Sequence, residues 1–301
     1  MPDRFAPFKD LSPVCRRTAL RTIGGVGVAA LAGSSAARAQ GTTRAITLGL
    51  TPVFLNNDLE LLSALKSYLE ASIGQSVKLV LRRTYEEITS LLVSGQLDAA
   101  WICGYPFVAF RDQLEILAVP VWRGKPLYQS YLIVGAGNPA ASINDLRGSV
   151  HAFSDPNSNS GYLVTAALLA EQSLRPDSFF SRVFFTYGHR NVVRAVAAGL
   201  ADSGSVDGYV WEVLTTAEPD ITRTTHIVRK SEWLGFPPIA TTRSALARRE
   251  VQTLQQAFMG MAENAQGKLV LRLLHLDGFA QEASDLFDNI AAKANLVKHL
   301  G

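Results

Sequence analysis

The chain has 301 residues, 48% of them hydrophobic and 18% charged, with a formal net charge of +3. Six basic residues (Arg4, Lys9, Arg16, Arg17, Arg21, Arg38) and two acidic ones (Asp3, Asp10) lie in the first 39 positions, so the remainder holds 23 basic against 24 acidic residues, a net charge of −1. The basic character therefore belongs to the leader, and nucleic-acid binding by bulk charge has no support.

That leader reads as a targeting segment. Arg16-Arg17 precede an uncharged run at 22–37, which closes on Ala37-Arg38-Ala39. A basic start, an apolar stretch and a small-x-small site predict a Tat-type signal peptide at 1–39, cleaved between Ala39 and Gln40, and hence a periplasmic protein. The run is too short and too rich in Gly and Ala for a membrane anchor. Cleavage leaves Cys103 as the single cysteine, so no internal disulfide is expected. The rest is long enough for one large α/β domain or two small lobes.

The first strand is predicted at 45–50, ending in Thr51-Pro52. A helix follows at 58–73, with Leu59, Leu62, Leu65, Leu69 and Ile73 at helical spacing and Gly74 as its stop. Next come a strand at 77–81, a helix from Tyr85 to near Gly95, and an apolar strand at 98–102 running into Cys103-Gly104-Tyr105-Pro106. Strands at 115–122 and 131–135 complete the first half. The pattern then repeats in kind: strand 150–153, helix 163–169, strand 183–187, helix 192–200, strand 205–207, a helix carrying Tyr209, Trp211 and Glu212, and strand 225–228. The tail at 244–299 reads as helical. Strands alternating with helices predict an α/β fold with mostly parallel sheets. Two such blocks, joined by extended pieces at 131–138 and 229–241, predict two lobes.

Ligands in open α/β sheets sit beyond the carboxyl ends of strands. Thr51, Cys103, Tyr105, Ser158, Asn159, Ser160, His189 and Asp207 collect at those ends, where two facing lobes would form one hinged cleft. The stretch Asp155-Pro156-Asn157-Ser158-Asn159-Ser160-Gly161-Tyr162 joins a strand to a helix. It offers hydroxyls, amides and the unpaired N–H groups of a helix start, which suit a small anion. An ordinary N-cap would use the same residues.

These segments resemble the periplasmic phosphate/phosphite/phosphonate-binding proteins of ABC transporters, the PhnD-like family, from about 46 to 214. The Ser158-Asn159-Ser160-Gly161-Tyr162 run resembles that family's Ser-Thr-Ser-Gly-Tyr phosphonate cradle. Thr186-Tyr187-Gly188-His189 resembles its Thr-Gly-Ser-His segment. Val206-Asp207 resembles the Val-Asp whose carboxylate faces the ligand's amine, and Tyr85 lies where members place an anion-contacting tyrosine. Asn159 and Gly188 replace two hydroxyl donors of the family pattern.

The resemblance implies a type II two-lobed binding protein with two mixed sheets joined by two crossing strands. Its lobes would be 45–135 plus 235–301, and 136–234. It implies capture of a small oxyanion for an ABC transporter permease, with Tyr85, Ser158, Asn159, Ser160, His189 and Asp207 lining the cleft; Cys103, a departure from the family pattern, and Tyr105 are expected beside them from their place at a strand end. Cys103 is either a small buried hydrophobe or a soft ligand. The second reading resembles the AioX-like arsenite sensors, whose partner would be a membrane sensor kinase. A hydrolase built on Ser158 or Ser160, His189 and Asp207 is the remote alternative, since the Gly-x-Ser-x-Gly elbow is missing. Metal-binding histidine spacing, Gly-x-Gly-x-x-Gly and the P-loop are also missing, so no cofactor and no metal are expected.

Overall fold

In the computed structural model, which describes residues 44–52 and 59–300, the chain builds two mixed sheets with helices packed on them. The predicted signal peptide and its cleavage site lie outside the described residues. In chain order the first half contains β1 (Ile46–Leu50), α1 (Leu59–Ile73), β2 (Val77–Leu81), α2 (Tyr85–Val93), β3 (Ala99–Trp101), α3 (Gly104–Ala109) and β4 (Leu114–Val121). After β5 (Leu127–Tyr128) come β6 (Ser130–Gly135), β7 (Val150–Phe153), a π turn at Asn159–Leu163, α4 (Val164–Ala170), α5 (Pro176–Phe179), β8 (Arg182–Phe185) and α6 (His189–Ala197). Next are β9 (Ser203–Asp207), α7 (Gly208–Ala217), α8 (Pro219–Thr222) and β10 (Thr225–Lys230). The chain then returns through β11 (Leu234–Gly235) to β12 (Ile239–Thr242), α9 (Arg249–Met259), α10 (Ala265–Leu274), β13 (Gly278–Ala280) and α11 (Asp288–Lys298).

The six-stranded sheet has the order β13-β4-β12-β3-β1-β2, and the five-stranded sheet the order β10-β6-β9-β7-β8. Antiparallel β5 and β11 form a separate two-stranded ribbon between them. This is the two-lobed arrangement with two crossing strands that the family resemblance implies. Two expectations need correction. The sheets are not mostly parallel: β1 pairs in parallel with β2 and β3, and β7 with β8 and β9, while β4, β6, β10, β12 and β13 pair antiparallel with their neighbours. The extended piece at 131–138 is not a crossing segment either. Ser130–Gly135 is an apolar, almost wholly buried strand paired on both sides within the second sheet, and the crossing falls just before it, at Leu127–Tyr128.

Burial sets the local choices. In α1 the buried face is Leu61, Leu65, Tyr68 and Leu69, while the expected Leu59 is 79% exposed. Each apolar side chain of that face contributes about 1.5–3 kcal/mol. The Tyr68 hydroxyl donates to Ala257 O, tying α1 to α9. α2 starts with a capping box, Thr84 and Glu87, which satisfies donors at both ends of the first turn. Asp98, almost fully buried ahead of β3, accepts from Thr47 N and Oγ1 and pairs with Arg44 and Arg248. These amide, hydroxyl and cationic partners outweigh its burial and hold its carboxyl below the usual range. No helix among the described residues is long and apolar enough to cross a membrane.

Candidate functional site

β3, β7 and β9 end, and α2 begins, at one place between the two sheets. On the second-sheet side, the chain leaves β7 at Ser154 and turns at Asp155-Pro156. Asp155 Oδ1 accepts the N–H of Asn157, which is the reason the turn forms there. Ser158 caps the following turn by accepting the N–H of Gly161 at 3.0 Å. That turn is a π turn, a wider geometry often found at functional sites. Its backbone is pinned by Ser154 N–H to Gly161 O (3.1 Å) and by the Ser130 hydroxyl to Ser160 O (2.6 Å). Gly161 is required: a Cβ there would lie 1.8 Å from Ser154 Oγ and 3.0 Å from His189 Cε1.

His189 is the first residue of α6, three positions earlier than the helix start read from the sequence. Its Nδ1 accepts the backbone N–H of Asp207 at 3.0 Å, which puts the ring proton on Nε2. That N–H meets the Tyr85 hydroxyl oxygen at 3.2 Å, leaving the hydroxyl hydrogen of Tyr85 with no acceptor among the described residues. Burial pushes the His189 pKa down to about 3, so the ring is neutral. Asp207 ends β9 and caps α7 through Oδ1, which accepts the N–H groups of Tyr209 and Val210. Burial outweighs those two bonds and pushes its pKa up to about 7.

The first-sheet side supplies Tyr85 and Cys103. The Tyr85 amide donates to Asp155 Oδ2 at 3.2 Å, and the Asn159 amide donates to Cys103 Sγ at 3.2 Å. Burial pushes the Cys103 thiol up to about 12, with the amides of Asn159 and Tyr105 opposing only in part. Cys103 is therefore a neutral thiol that accepts a hydrogen bond. The ribbon contributes too: Asn159 Nδ2 donates to the Tyr128 hydroxyl at 2.8 Å.

Of the expected residues, the structure brings together Tyr85, Cys103, Ser158, Asn159, Ser160, His189 and Asp207, none more than 2% exposed. Tyr105 stands apart. It is half-buried in α3 and lines a neighbouring groove of about 450 Å³ with Glu86, Phe110, Pro156 and Asn157. Thr51 donates to Trp101 O and serves the first sheet. Sequence reasoning missed Tyr128, Ser130 and Ser154. The only signal for them was position, since each borders a strand end that faces the serine run.

Among the described residues, four buried side-chain atoms lack a hydrogen-bond partner. Two of them, Arg190 Nε and Glu218 Oε1, form an ion pair with each other. The other two, Asn159 Oδ1 and Ser154 Oγ, both belong to this cluster. An orphaned buried polar group costs about 1–3 kcal/mol, so the cluster is incomplete without a polar guest.

Two lobes closing on a buried polar cluster define the class: a type II, periplasmic-binding-protein fold with its candidate site between the lobes. The chain belongs to the family described as the phosphonate periplasmic substrate-binding protein of ABC transporters, whose sequence profile matches residues 48–286. It is 26% identical over 179 residues to the phosphate-import protein PhnD of Mycolicibacterium smegmatis, a match covering 55% of this chain and 56% of that relative. Among solved structures, it is similar to a binding protein component of an ABC phosphonate transporter from Pseudomonas aeruginosa, with TM-score 0.78, 23% identity and coverage of 85% of this chain and 87% of that one. It is also similar to PhnD1 from Prochlorococcus marinus (MIT 9301) in complex with methylphosphonate, with TM-score 0.74, 16% identity and coverage of 84% and 98%. At these identities the two structures speak for the fold.

Proposed function

We propose that the chain is an exported solute-binding protein that encloses a small phosphorus oxyanion between its lobes and delivers it to an ABC transporter permease. The reading rests on one observation: among the described residues, the buried interlobe cluster leaves two hydroxyl donors, Ser154 and Tyr85, without an acceptor. Tyr85, Ser154 and Ser160 offer hydroxyl donors to the anion, and His189 orients Tyr85. Residues 1–39 would direct export and be removed. The lobes would meet at the ribbon of Leu127–Tyr128 and Leu234–Gly235, which serves as the hinge.

Hydrolysis fits the geometry less well. In a Ser-His-Asp triad the histidine donates through Nδ1 to the carboxylate, whereas Nδ1 of His189 accepts the backbone N–H of Asp207. The arsenite alternative rests on Cys103 alone, and that buried thiol already accepts the Asn159 amide. Thermal-shift screening tests the reading. Phosphate, phosphite or methylphosphonate should raise the melting temperature, as a ligand of the folded state does. A shift with arsenite alone would contradict it.

A further inference from the structure

α11 touches both lobes. It packs against α3 on the first-sheet side and against α4 and the π turn on the second-sheet side. It begins just past residue 286, where the family profile ends. Three contacts fix its start to α3. The Phe287 ring, one residue before the helix, lies 4.9 Å from the Phe107 ring. Asp288 pairs with Arg111 at 2.6 Å. Ile290 lies against Gly104, where an added Cβ would stand 2.7 Å from Ile290 Cδ1. Ile290, Ala294 and Val297 recur at i, i+4 and i+7, one face of a helix, and join the apolar cluster that also contains Val164 of α4. Lys293 pairs with Glu232, in the linker from β10 to the ribbon. Within α11, Ile290 alone among the described residues is fully buried, so the hold concentrates on one side chain.

The ribbon lies beside the same segment. A Cβ on Gly235 of β11 would come within 3.0 Å of Leu286 O and of Phe287 Cε1. α11 therefore starts at the hinge proposed above and runs along both lobes. A rigid helix cannot keep two partners that rotate away from each other. Opening must strip it from one of them, and the ring contact, the ion pair and the Ile290–Gly104 contact tie it to α3. Its contacts with α4 and the π turn then belong to the closed form alone. Resting on the hinged binding-protein reading above, we propose that α11 is an interlobe brace, with Ile290 as its positioning residue, that stabilises the closed form and slows escape of the bound oxyanion. Release needs opening, and contacts made only in the closed form oppose it. None of the brace contacts involves the guest, so the brace acts on the empty protein as well.

Small-angle X-ray scattering of the ligand-free full chain tests the brace without a guest. Stopped-flow tryptophan fluorescence with inorganic phosphate and methylphosphonate tests its effect on release. Ile290→Ala should enlarge the radius of gyration of the ligand-free protein and speed release by about tenfold, with the association rate nearly unchanged. Ile290→Val keeps most of the side chain and should restore both. Lys293→Glu leaves the apolar face intact and sets two carboxylates against each other at Glu232. It should move scattering and release in the same direction by less. A merely structural role for Ile290 would lower the melting temperature and leave the release rate of the folded protein unmoved. Scattering identical among the unaltered chain, Ile290→Ala and Lys293→Glu, or release unchanged in both variants, would overturn the brace and leave the oxyanion site standing. If neither anion binds, the oxyanion reading falls, and the scattering alone still decides whether α11 holds the lobes together.

Discussion

His151 and His189 share a lobe, are both at most 2% exposed, and are both pushed by burial to a pKa of about 3. Their surroundings differ in one respect. His151 lies inside the second sheet, stacked on Phe180, with Nδ1 on Ser203 Oγ (2.7 Å) and Nε2 on Ser205 Oγ (2.9 Å). Thr165 closes that network on Ser205 at 2.6 Å. Every ring nitrogen has a partner within the same lobe. His189 faces the other lobe through the Tyr85 hydroxyl, in a cluster where Asn159 Oδ1 and Ser154 Oγ have no partner among the described residues. A closed buried network makes a fold specific, whereas an open one waits for a guest.

The comparison can be broken at either end. The largest effect belongs to the closed network. His151→Ala removes a large core side chain and orphans the Ser203 hydroxyl, while Ser205 keeps Thr165, so it should cost about 3–5 kcal/mol of stability in denaturant melts. Affinity of the protein that still folds should be unchanged. Gly161→Ala comes next. Its Cβ collides with Ser154, whose atoms would lie 1.8 and 2.7 Å away. Overpacking of this kind should cost about 3 kcal/mol, read by calorimetry mainly as lost binding, because the clash distorts the serine turn. Ser160→Ala should weaken oxyanion binding by about 1–2 kcal/mol and leave the melting temperature nearly unmoved.

Acid and base should act on the ligand-free protein in opposite ways. Both histidines have folded-state pKa values below their unfolded value, so the stability they lend is present above about pH 6.5 and is lost as pH falls toward about 3. Asp207 is raised, so its contribution is present below its unfolded value and is lost as pH rises through about 7. Melting temperature should therefore fall on both sides of a maximum, and Asp207→Asn should remove the alkaline decline only. Cys103→Ser is the smallest perturbation. A hydroxyl can still accept the Asn159 amide, so affinity should change by less than about 1 kcal/mol. Iodoacetamide should label the neutral Cys103 thiol slowly, and more slowly with ligand bound.

Much of this was legible in the sequence. The β1, β2 and β7 strands carry enough apolar character to show, while the polar β9 is legible only over 205–207, and the Asp-Pro turn followed by Ser-Asn-Ser-Gly marks the loop that joins β7 to its helix. α3 was missed because Gly104 and Pro106 read as a loop, although proline is tolerated in a first turn. β13 is three residues long and shows no alternation, so only its pairing with β4 defines it. The antiparallel pairings of β4, β6 and β12 depend on where the chain crosses between lobes, which periodicity does not encode. Within the site, the chemistry of the serine run was readable. The partnership of Tyr128 with Asn159 was not, because it joins residues on separate elements through tertiary contact alone.

The central claim is that the open network between the lobes is completed by an oxyanion. A crystal structure of the full chain with the oxyanion that gives the largest thermal shift tests it most directly. The anion should lie within hydrogen-bond distance of the Tyr85, Ser154 and Ser160 hydroxyls, with Asp207 beside it and Nε2 of His189 still on Tyr85. An anion seated instead in the groove of Tyr105 and Asn157, with the Ser154 and Tyr85 hydroxyls still unpartnered, would contradict it.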